Sequence, residues 1–94
     1  MKKVRDIYIA YDIKDNKRRN RLAKRLQYYG LHRMQKSVFS GKIRDLDLRA
    51  LMIEIERFAK DKYDSIHVLE LCNSCKQKII IYGNTPDIPR YYFF

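Results

Sequence analysis

The chain has 94 residues, of which 46% are apolar, enough for the core of one domain, so the composition excludes a wholly disordered chain. No apolar run approaches the roughly 18 residues of a membrane-spanning helix, and no apolar stretch follows residues 1–3, so we expect a cytoplasmic protein. The 21 Lys and Arg residues exceed the 11 Asp and Glu residues by 10, and a net charge of +10 is typical of a protein that binds a polyanion.

The first half of the chain predicts a strand, a helix and two further strands. Residues 7–11 are β-branched, aromatic or small, which predicts a central strand buried on both faces, and Asp12 ends it. Asp15 as the N-cap and Gly30 as the C′ residue delimit the first helix. Residues 31–43 predict two strands that meet near residues 35–37.

The second half predicts another helix and two more strands. Asp45 is expected to cap a helix that extends to about residue 62. Its broad apolar stripe predicts that it is well buried on a sheet, and the stripe consists of Leu48, Leu51, Met52, Ile55, Phe58 and Ala59. Residues 65–71 and 76–82 have the composition of strands. The order is β-α-β-β-α-β with an extra C-terminal strand, which is the α+β, ferredoxin-like split βαβ fold with both helices on one face of the sheet. We expect a second subunit to cover the other face, in a homodimer.

The domain is predicted to occupy residues 1–83, and residues 84–94 form a C-terminal aromatic tail. Four consecutive aromatic side chains at residues 91–94 predict that the tail packs on a partner, and a frayed end is the alternative. Cys72 and Cys75 are interpreted as ordinary thiols near a strand end. A redox-sensitive pair and a metal site shared across a dimer are the alternatives.

The positive charge is concentrated in one segment. Residues 14–36 contain nine basic residues and one acidic residue, which is +8 of the total +10. This favours a phosphate-binding surface over a merely solvated helix face, and the helix lacks free bulky apolar residues for a membrane surface. The predicted contacts to the nucleic-acid backbone, which would not read bases, are Lys17, Arg18, Arg19 and Arg21.

Asp12 is the one residue whose position suggests catalysis. A carboxylate between a central strand and a basic helix can bind Mg²⁺, although one carboxylate is an incomplete site. A second copy of Asp12 in a dimer and a bound phosphodiester could complete the site and activate water for hydrolysis. A turn or cap role is the alternative for Asp12, and we expect His32 and His67 to be structural or surface residues.

The chain resembles the CRISPR-associated protein 2 family, the small subunit of the CRISPR spacer-acquisition machinery. The resemblance covers residues 4–83, and it depends on the separation between a Tyr-Asp-Ile element and a Gln-x-Ser-Val-Phe element. These two elements are Tyr11-Asp12-Ile13 and Gln35-Lys36-Ser37-Val38-Phe39. Two further parts of the pattern are Asp15-Asn16-Lys17-Arg18-Arg19 and Leu71-Cys72-x-x-Cys75.

The resemblance implies a ferredoxin-like homodimer with metal-dependent nuclease activity on single-stranded RNA or double-stranded DNA. The strand-end aspartates of both subunits would face each other and bind Mg²⁺ or Mn²⁺, and this catalytic position falls on Asp12. Further family positions, which include nucleic-acid contacts and supporting residues, fall on Tyr11, Arg19, Arg21, Arg33, Ser37 and Phe39.

The same resemblance implies partners. In spacer acquisition the family acts as a scaffold that bridges two dimers of the integrase, CRISPR-associated protein 1, along the protospacer duplex. A non-catalytic, DNA-binding scaffold is therefore a second hypothesis, and the aromatic tail could dock the integrase. A third is a toxin-like messenger-RNA endonuclease on a related fold.

Overall fold

The computed structural model of the protein describes residues 3–72 together with residues 74, 78, 80 and 82. The four strands form one sheet in the order β2-β3-β1-β4, and each neighbouring pair is antiparallel. The elements are β1 (Val4–Asp12), α1 (Asn16–Tyr28), β2 (His32–Gln35), β3 (Val38–Arg44), α2 (Asp45–Glu56) and β4 (Ser65–Leu71). This order confirms the α+β, ferredoxin-like split βαβ fold.

Both helices cover the same face of the sheet. The core of β1 and the two helices is a single cluster, made of Ile7, Ile9, Tyr11, Leu22, Leu26, Leu51 and Ile55 together with neighbouring apolar residues. Since successive side chains of a strand point to opposite faces, the even-numbered residues of β1 project from the other side. We call that side, which carries no helix within the described part of the chain, the helix-free face.

β1 is the central strand, as predicted, but its two faces differ. Ile7 and Ile9 are fully buried under the helices, whereas Tyr8 and Ala10 on the helix-free face are half-buried. Within one chain, therefore, only the helix-covered face of this strand is fully buried. The cause is that both helices pack against the same side of the sheet.

The two predicted ends of α1 are confirmed. The Asp15 carboxylate accepts a hydrogen bond from the Arg18 backbone N–H at 2.8 Å, which caps the first turn. At the other end Gly30 has a φ of +88°, a conformation that L side chains rarely adopt. The Leu31 N–H then donates to the Leu26 carbonyl at 3.1 Å, so the helix closes in a Schellman motif.

The start of α2 differs from the prediction. The helix begins at Asp45 itself, Arg44 occupies the N-cap position, and no side chain caps the first turn. The Asp45 carboxylate instead accepts a hydrogen bond at 2.7 Å from Nε of Arg5 in β1. Asp45 therefore ties the helix to the central strand and does not act as its cap.

The end of α2 differs as well, because the helix stops at Glu56 and not near residue 62. The N–H groups of Arg57 and Phe58 donate to carbonyls three residues back, which tightens and ends the last turn. Met52 and Ala59, which belong to the predicted apolar stripe, are exposed. The buried face of this helix is thus narrower than the sequence pattern suggests.

The hairpin and β4 agree with the prediction. β2 ends at Gln35 and β3 begins at Val38, so the chain turns where the pattern breaks, and β4 has the predicted bounds. The predicted fifth strand at residues 76–82 lies mostly outside the described residues, and Cys75 and residues 84–94 lie outside them entirely. Among the described residues, none of the helices has the length and apolarity to cross a membrane.

Candidate functional site

Asp12 is the last residue of β1, and its carboxylate projects from the helix-free face. Its side chain is 64% exposed, and the Lys14 ammonium lies 2.9 Å from its Oδ2 atom. Ser65, the first residue of β4, lies beside it in the register of the sheet. The candidate carboxylate is therefore accessible and lies at the end of the central strand.

The residue before Asp12 fixes that strand end to the β2–β3 hairpin. The Tyr11 ring is 5% exposed and stacks on Phe39, with ring centroids 6.2 Å apart and an interplanar angle of 22°. The Tyr11 N–H donates to the Ser37 carbonyl at 3.0 Å, and its hydroxyl lies 3.5 Å from the Lys36 carbonyl. Tyr11, Ser37 and Phe39 thus form one packed unit directly behind Asp12.

Asp64 holds the turn that follows Asp12, and sequence reasoning missed it. Its carboxylate is fully buried and accepts hydrogen bonds from the backbone N–H groups of Lys14 at 2.8 Å and Asp61 at 3.0 Å. The Lys14 bond is the largest cause, and with the Asp61 bond and the Arg18 guanidinium it lowers the pKa of Asp64 to about 2, against desolvation. The Asp-x-x-Asp spacing hints at a local turn, but nothing local indicates the distant Lys14.

Arg18 is engaged inside the protein. Its side chain is 14% exposed, Nε donates to the Phe58 carbonyl at 2.8 Å, and the guanidinium pairs with Asp61 and Asp64. These carboxylates, Asp64 first, raise the pKa of Arg18. Its predicted contact with nucleic acid would require it to leave these partners.

Arg19 lies closer to the candidate site. Its guanidinium donates to the Ile13 carbonyl at 3.1 Å and to the Asn16 side-chain oxygen. Ile13 is buried and directly follows Asp12. Arg19 is therefore brought to the same turn as Asp12, where it supports the backbone.

The other predicted basic residues are exposed. Lys17 and Arg21 lie on the outer side of α1, and neither forms an ion pair with another described residue. Arg33 in β2 places its guanidinium 5.1 Å from the centroid of the Phe39 ring. Arg33, Phe39 and Tyr11 therefore form a continuous stack from the sheet edge to the strand that carries Asp12.

The remaining candidate ligands do not assemble around Asp12. Within the described ranges, no group of three or more His, Cys, Asp and Glu side chains could hold a metal ion. His67 is exposed on β4 and His32 is half-buried on β2. Cys72 is exposed, and its Sγ atom lies 3.1 Å from the Ser74 hydroxyl.

Comparison with known proteins identifies the family. The family model described as CRISPR associated protein Cas2 matches residues 6–79. A CRISPR-associated endoribonuclease Cas2 of Archaeoglobus fulgidus is 38% identical over 77 residues, which cover 82% of each chain. One of Methanospirillum hungatei is 32% identical over 90 residues, which cover 95% of each chain.

The solved structures agree with the sequence comparisons. A crystal structure of Cas2 superposes with a TM-score of 0.73 at 25% identity, over 93% of this chain and 95% of the other. The chain belongs to the CRISPR-associated protein Cas2 family.

Proposed function

We propose that this protein is a CRISPR-associated endonuclease that hydrolyses phosphodiester bonds, with Asp12 as its catalytic carboxylate. The observation that carries the proposal is the exposed Asp12 at the end of the central strand, whose flanking residues Tyr11 and Lys14 are held by hydrogen bonds. The endoribonuclease names of the relatives support RNA as the substrate. Double-stranded DNA is the alternative substrate.

A divalent cation fits the chemistry of this site in part. Mg²⁺ or Mn²⁺ prefers oxygen ligands and commonly takes one or two carboxylates together with phosphate oxygens and water. Asp12 would hold the ion, with the substrate and a second copy of Asp12 supplying further oxygens. When bound, the ion would supply an activated water and stabilise the charge that develops on the phosphate.

The helix-free face supports a homodimer. Tyr8 and Leu69 lie side by side on this face in the register of β1 and β4, and Leu69 is 51% exposed. Covering these apolar side chains with the same face of a second copy removes them from water. In a two-fold arrangement both Asp12 carboxylates would then belong to the same interface, which would complete the metal site.

The basic residues divide into two groups in this proposal. Lys17, Arg21 and Arg33 have exposed cationic groups, and we assign them to the phosphates of the bound strand. Arg18 and Arg19 already have partners inside the chain, and we assign them to positioning the turn around Asp12.

The test compares Asp12→Asn with Asp47→Asn, the same change at a carboxylate of α2 whose side chain is 44% exposed. Labelled single-stranded RNA and double-stranded DNA are incubated with each purified protein and Mg²⁺. We expect Asp12→Asn to lose cleavage and to keep the thermal midpoint of the wild type, because its side chain is 64% exposed. Asp47→Asn should cleave normally. Undiminished cleavage by Asp12→Asn would contradict the proposal.

A second candidate is a non-catalytic DNA-binding scaffold of the spacer-integration complex, with the CRISPR-associated protein 1 integrase and protospacer DNA as partners. The observation that favours it is that the Asp12 carboxylate already pairs with the Lys14 ammonium at 2.9 Å. Spacer acquisition in cells separates the two. The scaffold requires that Lys17→Glu with Arg21→Glu stops acquisition while Asp12→Asn permits it.

A further inference from the structure

A cationic groove lies between α1 and the segment that follows α2, on the helix-covered side of the sheet. Its volume is about 410 Å³. Six basic side chains, the Glu54 carboxylate and the Phe58 ring line it. The Asp12 carboxylate projects from the opposite, helix-free side.

Two of the six cations are neutralised by acidic partners. Arg18 pairs with carboxylates in the 57–64 segment, and Arg25 pairs with Glu54 at 2.7 Å. Four exposed cations are left without a salt bridge to any described carboxylate, and they come from both walls of the groove. These four are Arg21, Lys24, Arg57 and Lys60.

This arrangement has an electrostatic consequence. Charges of one sign in a concave surface with apolar walls focus the potential and attract counter-ions of the opposite sign. The half-buried Phe58 ring adds an apolar contact at the same place. A ligand that fits therefore carries several negative charges in succession together with apolar or aromatic parts.

We propose that this groove binds the phosphate backbone of a nucleic-acid strand, as a contact separate from the Asp12 site. Lys24, Arg57 and Lys60 are the residues that this adds to the nucleic-acid contacts assigned above, with Arg21 shared between the two surfaces. The proposal does not require cleavage, because the groove and Asp12 lie on opposite sides of the sheet. It applies equally to a nuclease and to a scaffold.

The test removes two charges from the groove and two from elsewhere. Arg57→Gln with Lys60→Gln is compared with Arg49→Gln with Lys62→Gln, whose side chains are exposed and do not line the groove. Both double variants lower the net charge from +10 by 2, to +8. The affinity for labelled single-stranded and duplex DNA is measured in EDTA over a series of salt concentrations, so that cleavage plays no part.

The expected result is a change in salt dependence for the groove variant alone. Because each phosphate contact contributes about 0.7 to the log–log slope for single strands and about 0.9 for duplex DNA, two lost contacts reduce the slope by about 1.4 or 1.8. The control should keep the wild-type slope. If both variants lose slope equally, the effect is one of net charge, and the proposal is overturned.

Unchanged binding by the groove variant also overturns the proposal and points to an acidic protein segment as the occupant. Thermal unfolding by circular dichroism shows whether the variants fold. If the double variant does not, Lys24→Gln on the α1 wall replaces it, with an expected slope change of about 0.7 to 0.9. Loss of activity in Asp12→Asn has no bearing on these measurements, so the two proposals fail separately.

Discussion

Phe39 offers a sharp test of what the supporting residues do. Its ring is 0% exposed, stacks on Tyr11 and lies under the Arg33 guanidinium. Removing it in Phe39→Ala leaves a cavity and should cost about 3–5 kcal/mol. A chain of this length is expected to have a free energy of unfolding of about 5–14 kcal/mol, at roughly 0.05–0.15 kcal/mol per residue. The loss is therefore a large part of the total stability. Phe39→Leu keeps most of the apolar volume but loses the aromatic stack, so it should lower the free energy of unfolding by about 1–1.5 kcal/mol.

The assay separates stability from activity. Urea unfolding followed by circular dichroism should rank the variants as above, and Phe39→Leu should lower the thermal midpoint by about 4–12 °C. Nucleic-acid binding and cleavage, measured well below that midpoint, should be close to wild type in Phe39→Leu. Tyr11→Phe is the control, since it keeps the ring and loses only a hydroxyl contact of 3.5 Å. A fully folded Phe39→Leu without activity would refute a packing role.

Two further predictions concern the network beside Asp12. The lowered pKa of Asp64 means that its ionised carboxylate stabilises the fold above about pH 4, and that this contribution is lost as the pH falls towards 2. Urea midpoints of wild type and Asp64→Asn should therefore differ at pH 7 and converge near pH 2, and a constant difference would contradict this. Arg18→Gln should lower the thermal midpoint because it removes the ion pairs with Asp61 and Asp64. Lys17→Gln should instead weaken nucleic-acid binding and leave the thermal midpoint unchanged. Equal midpoints in the two variants would show that the ion pairs of Arg18 are dispensable.

The features that were predicted well from the sequence depend on interactions between residues that are close together in the chain. Asp15 caps α1 through an amide three residues away, and Gly30 supplies the positive φ that ends it. The hairpin between β2 and β3 and the bounds of β4 follow from alternation of apolar residues. Such signals involve neighbours within a few residues, so they can be interpreted without knowing the tertiary fold.

The features that were predicted poorly depend on distant partners. Asp45 has the composition of a cap, but Arg5, 40 residues away in sequence, provides its partner. Arg18 looks like an exposed phosphate contact, yet it pairs with carboxylates more than 40 residues further along the chain. Charge counts by segment locate a basic surface correctly and cannot separate cations that are already paired from those that are available.

The same limit applies to the candidate site itself. Position at the end of an apolar strand singled out Asp12 as a candidate, and the structure places its carboxylate in solvent on the helix-free face. Nothing in the sequence indicated that Asp64 holds the adjacent turn, because this role arises only when residues 61–64 pack against Lys14. The cationic groove could not be predicted either, because it exists only where the fold brings Arg57 and Lys60 close to Arg21 and Lys24.

Whether two copies of Asp12 share one metal ion can be measured by counting bound Mn²⁺ with electron paramagnetic resonance. Purified wild-type protein is titrated with Mn²⁺ in the presence of an uncleavable nucleic-acid analogue, and Asp12→Asn is titrated in parallel. Sharing of one ion by two copies of Asp12 requires one tightly bound ion per two chains in the wild type and none in the variant. Binding that is unchanged in Asp12→Asn, or one ion for every chain, would contradict it.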